Sequence, residues 1–151
     1  MFRYLLGLLI ILHLTACDYA NRRFIQDSIV FERDTRLPNI GFKPTPEEIQ
    51  KAESAFFDFL DAKTSNNETI YETHLDEQVP LQEMLRYYKR RYFGLMSVIG
   101  EKVIKIEFVF VRCSGQGEWK NIEYTNEQTK DCWWSVQYSI DSEQIYELKL
   151  Q

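Results

Sequence analysis

Several groups of side chains in this sequence are of types that can do chemistry. His74 stands two and three residues before Asp76 and Glu77. A histidine beside a carboxylate can act as a general base. No neighbouring Ser or Thr is singled out as its nucleophile, so the plain reading is a polar surface loop, and no catalytic residue is assigned. Cys113 and Cys132 enclose eighteen residues. A zinc site needs four ligands, neither cysteine has a second at short spacing, and His74 cannot complete the set. No metal and no cofactor are therefore expected. In an oxidising compartment the same pair reads as a disulfide. Closing a loop of that size stabilises by about 3 kcal/mol in the chain-entropy model.

Two further groups bear on recognition. Arg86, Lys89, Arg90 and Arg91 interleave with Tyr87, Tyr88 and Tyr92. Cations among aromatics can bind single-stranded nucleic acid, or form one solvated helix face above inward-packed tyrosines. Trp119, Trp133 and Trp134 are numerous for so short a chain. Trp134 alternates into an apolar face and is expected in the core. Trp133 then faces the other way, beside Cys132. Trp119 lies in the loop 114–131, which is open to two readings: a recognition anchor, or a ring folded onto the core.

Composition narrows the choice. The chain has 151 residues, 18 Lys and Arg against 23 Asp and Glu, and a net charge of −5. It is 44% hydrophobic, 15% aromatic and 27% charged. That suits one folded domain with a tail rather than a disordered chain. Six Gly and four Pro exclude collagen-like material. The acidic balance disfavours nucleic acid, which selects basic faces. A protein partner for the basic cluster is the better expectation.

The first seventeen residues carry an address. Arg3 precedes an apolar run from Tyr4 that ends at Thr15-Ala16-Cys17. The run is shorter than the roughly 20 residues a membrane-spanning helix needs. It suits the apolar core of a secretory signal. Leu14-Thr15-Ala16-Cys17 resembles the lipobox of bacterial lipoproteins at all four positions. The resemblance implies a signal peptide over residues 1–16 and a lipidated, palmitate-bearing Cys17 as the first mature residue. Several acyl chains give near-permanent anchoring. Asp18 resembles a retention signal for the inner membrane, but that rule differs between bacterial groups, so the membrane, inner or outer, is left open. Residues 1–16 hold one Arg and no acid, so the mature chain carries 17 cations against 23 anions, a net −6. Such a charge would not draw the body onto anionic lipid.

The elements that must position these groups follow from periodicity. Residues 17–44 mix charges with short apolar pieces and read as a lipidated tether that could add a short strand. Fully extended it would reach about 90 Å. Thr45, Pro46 and Glu48 form a helix start with a capping box. Ile49, Ala52, Phe56, Phe59 and Leu60 continue it at helical spacing to about residue 62. Asn67-Glu68-Thr69 matches a glycosylation sequon, weak evidence in a bacterial lipoprotein. Leu81, Met84, Leu85 and Tyr88 predict a second helix over 80–90. Strands are predicted over 92–98, 104–111, 133–140 and 146–150, most of them from alternation.

The expected fold class is α+β over 45–151: N-terminal helices packed on a curved antiparallel sheet of about four strands. That element order resembles cystatin-like and nuclear-transport-factor-like layouts. The run Tyr88-Lys89-Arg90-Arg91-Tyr92-Phe93-Gly94 is similar to small bacterial envelope lipoproteins, a similarity that carries no activity. Together these features imply a lipid-anchored, non-catalytic module of the cell envelope with a protein partner, an inhibitor or immunity protein being one form. Its binding surface is expected on the far sheet face and the 114–131 loop, with Trp119, Trp133, Arg86, Lys89, Arg90 and Arg91 as candidates. The alternatives are a small-ligand carrier or enzyme with a pocket between helix and sheet, and a structural envelope component.

Overall fold

A computed structural model describes residues 28–32, 41–71, 78–113, 117–121 and 133–149. The lipobox, Cys17, His74 and Cys132 lie outside the described residues, and with Cys132 the proposed disulfide. Among the described residues no helix is long and apolar enough to cross a membrane.

The long helix, α1, spans Pro46–Ser65. Its capping box forms as expected: the Thr45 hydroxyl accepts from the Glu48 N–H at 3.2 Å, and the Thr45 N–H donates to Glu48 Oε2 at 2.8 Å. The helix ends where the Asn66 N–H donates to Ala62 O and Asn67 turns left-handed at φ 58. Ala52, Phe56 and Leu60 form its buried stripe.

The second predicted helix is a correction. Only Leu81–Met84 (α2) is α-helical, followed by a 3-10 turn at Leu85–Tyr87. The backbone is already extended at Tyr88, where β3 (Tyr88–Met96) begins. Leu81, Met84 and Leu85 are buried as their spacing implies, but Tyr88 reaches the same core from a strand. Pairing decides it: Tyr88 to Arg91 oppose Phe110 to Glu107 of β4 (Lys102–Phe110). Cross-strand bonds and side-chain pairs outweigh a helical stripe this short.

Among the described residues the sheet has six strands rather than about four. It continues from β4 to β5 (Trp133–Ser139) and β6 (Gln144–Lys149), all antiparallel. Two short strands join the other edge of β3. β1 (Ser28–Val30) pairs parallel with residues 90–92, and β2 (Gly41–Phe42) pairs antiparallel with residues 94–95. The sheet is thus mixed, and the class is α+β with one substantial helix among the described residues. Parts of the expected tether belong to the sheet.

α1 covers one face. Phe108 and Trp134 stack with ring centroids 3.8 Å apart, and Phe56 of α1 meets them at 5.5 and 5.6 Å. Tyr88, Ile104, Ile106, Val136 and Tyr138 complete this core. The helix–sheet interface there is filled with side chains. A smaller cluster of Phe93, Leu95 and Val103 lies on the opposite face, where Phe31 stacks on Phe93 at 4.7 Å.

Candidate functional site

Adjacent residues of a strand point to opposite sides of its sheet, which divides the basic cluster. Arg86 is exposed in the 3-10 turn, its guanidinium 4.8 Å from the Tyr87 ring centroid. Arg90 points under α1. Its Nη1 bonds Glu53 Oε1 at 2.6 Å, and the Tyr92 hydroxyl donates to the same oxygen at 2.7 Å. Burial, with Glu53 beside it, pushes the Tyr92 hydroxyl far above the usual tyrosine value. Lys89 and Arg91 face the other way. Arg91 is wholly buried, and its Nε lies 3.5 Å from Glu107 Oε2. The expected four-residue basic surface is therefore corrected: Arg90 and Arg91 are interior ion-pair members on opposite faces.

Trp119 sits in a 3-10 turn, Glu118–Lys120, and is only 4% exposed. Lys89 Nζ and Lys120 Nζ lie 5.6 and 5.5 Å from its ring centroid. The ring is buried rather than displayed, and it lies beside these two lysines rather than within either apolar core cluster. An anchor for a partner must be reachable, and this ring is spent on packing. Trp133 is half-buried on the far face, opposite Val109. Trp134 is core, as its alternation implies.

The far face carries two polar rungs running across the strands. One places Arg91, Glu107, Ser135 and Lys149 in register; the next places Phe93, Lys105, Gln137 and Glu147. Lys105 Nζ bonds Glu107 Oε1 at 2.7 Å. Gln137 Nε2 donates to Glu147 Oε2, the Tyr146 hydroxyl donates to Gln137 Oε1 at 2.6 Å, and Lys149 Nζ pairs with Glu147 Oε1 at 2.9 Å. A register shift between Gln137 and Tyr138 marks a bulge opposite Tyr146. Burial, then the Glu147 charge, raises the Tyr146 hydroxyl above its usual value.

Exposure grades along this face. Glu107 and Arg91 see no solvent, whereas Tyr146 is 54% exposed and the Lys149 side chain 59%. The outer half, formed by Trp133, Gln137, Tyr146, Glu147 and Lys149, offers half-open aromatics beside an amide and both charge signs. Those groups can hydrogen-bond and stack, and they suit recognition. Glu107, Lys105, Gln137 and Tyr146 were not singled out from sequence. The available signal was the half-polar phase of the alternating strands.

A second surface lies between α1 and the β5–β6 turn. It is an open groove of about 610 Å³ lined by Gln50, Lys51, Ser54, Asp58, Tyr138 and Glu143 among others. Lys51 Nζ and Glu143 Oε1 bridge it at 3.1 Å, and that bond raises the Lys51 ammonium above its usual value. Among the described residues no three His, Cys, Asp or Glu side chains are grouped as metal ligands. Compared with protein-family models, curated proteins and solved structures, the chain matches none.

Proposed function

We propose that this chain is a lipid-anchored, non-catalytic binding module of the bacterial envelope, held by acyl groups on Cys17. Its recognition surface is the outer half of the far sheet face, around Trp133, Gln137, Tyr146 and Lys149. One observation carries the choice of a surface over a chamber: Phe56, Phe108 and Trp134 occupy the space between helix and sheet. A carrier or enzyme working between those layers would need that space. The lipobox Leu14-Thr15-Ala16-Cys17 supports the anchor. The half-exposed Tyr146, already aligned by Gln137, supports the face.

Site-specific photocrosslinking in living cells tests the surface. A crosslinker replacing Tyr146 should give one discrete protein adduct that the same group at Glu47, on the helix side, does not. Identical patterns from both positions, or no adduct from either, would remove the far face from the proposal. Metabolic labelling with a palmitate analogue tests the anchor: label should appear on the wild type and vanish in Cys17→Ser.

A further inference from the structure

The β3–β4 hairpin ends in an unusual way. Its tip carries Val98, 100% exposed, and Ile99, 80% exposed. Singly scattered exposed aliphatics are ordinary; Val98 and Ile99 instead form one contiguous apolar tip on a fixed turn. The turn is tied at three points. Gly100 N–H donates to Ser97 O at 3.0 Å, Ser97 N–H to Glu101 O at 2.9 Å, and Glu101 N–H to Ser97 Oγ at 3.0 Å. Gly100 supplies the left-handed φ of +87 that closes it. The two nine-residue strands behind it form a stiff stem.

We propose that this tip dips into the bilayer that holds the acyl chains, giving the tethered body a second, shallow contact and a fixed orientation. The inference rests on lipidation of Cys17. A protein interface needs about 800 Å² per partner, far more than two side chains present. A tethered body needs much less, because the anchor already concentrates the tip at the membrane.

The tether is long enough. β1 enters the sheet at Ser28, opposite Arg90. Eleven residue steps separate Cys17 from Ser28, about 36 Å at full stretch. Eight steps, six of them along β3 and two in the turn, separate Arg90 from Val98, at most about 26 Å at the strand rise. The tip can therefore reach the surface in which Cys17 is anchored.

The test uses full-length lipidated protein in vesicles of phosphatidylethanolamine and phosphatidylglycerol. Val98→Trp adds a fluorophore where nothing packs, and Tyr87→Trp adds one in the turn before β3, at the other end of the hairpin. The wild-type signal is subtracted from both. Bromine on the lipid acyl chains should quench the added Val98→Trp emission at least twofold and leave the Tyr87→Trp emission unchanged. Val98→Asp with Ile99→Asp should keep the fold and the acyl group, and should let the body reorient. A Val98→Trp signal quenched by aqueous iodide and not by bromolipid overturns the inference while the lipoprotein reading stands. Emission shielded from both quenchers only in native envelopes assigns the tip to a protein pocket and likewise overturns it. Absence of any acyl group defeats the lipoprotein reading, and this inference with it.

Discussion

Arg91 and Glu107 oppose each other across β3 and β4 with neither side chain reaching solvent. Lys105 approaches the same carboxylate from the next rung. Removing one member of a buried pair strands the other charge, at about 3–5 kcal/mol. Arg91→Leu alone, or Glu107→Leu alone, should lower unfolding stability by that amount. Replacing both, as Arg91→Leu with Glu107→Leu, should lose markedly less than the sum of the single losses, because Lys105 retains a path to water. Denaturant titration of the four proteins measures the coupling.

Tyr92 should make the fold sensitive to alkali. In the unfolded chain its hydroxyl ionises near pH 10; in the fold, burial and Glu53 hold the proton to higher pH. The native state then keeps more protons, so stability falls as pH rises above about 10. Tyr138, Tyr146 and Lys51 are shifted upward too and act in the same sense. Tyr92→Phe should cost about 1.5–3 kcal/mol at neutral pH through the lost bond to Glu53. Its decline between pH 9.5 and 11 should be shallower than that of the wild type. Unfolding midpoints across that range provide the check.

Gly94 should tolerate no side chain. A Cβ there would strike the Phe42 carbonyl and come within 2.9 Å of the Phe42 ring. Gly94→Ala should cost about 1–3 kcal/mol by overpacking and loosen β2 from β3. Thermal unfolding reads the first effect. Faster proteolysis on the amino-terminal side of α1 reads the second.

Trp119 and Trp133 should behave differently. Trp119→Ala removes a buried ring and should cost about 3–5 kcal/mol. Trp133→Ala removes a half-buried one and should cost clearly less. Thermal melts of the two variants separate packing from exposure. A loss of binding in Trp119→Ala alone would then report on folding.

The sequence was most informative where a local rule was complete. The Thr45–Glu48 box located the start of α1, and Ala52, Phe56 and Leu60 marked its buried stripe. Strict alternation located β4 and β5, with Phe108 and Trp134 inward. That the tether could add a short strand was legible, but the pairing of β1 and β2 was not, since two or three residues carry no period and their partners lie far along the chain. Arg90 and Arg91 looked like surface residues for a related reason. Burying a cation requires an anion, and Glu53 and Glu107 arrive only when the chain folds. The half-polar phase of β4 was visible, but not that Lys105 and Glu107 continue across the strands into Gln137 and Glu147.

β4 is hemmed in on every side. Ile104, Ile106 and Phe108 face α1, Val103, Glu107 and Val109 face away, and all six are buried. Its neighbour β5 is synthesised much later. A nascent chain therefore displays one open edge of Val103 to Phe110, a sticky, strand-prone stretch, before its second partner β5 exists. Lys105 and Glu107, which later become part of the interior network, are during that interval the charges that discourage self-association. One pair of residues thus serves solubility first and cohesion afterwards.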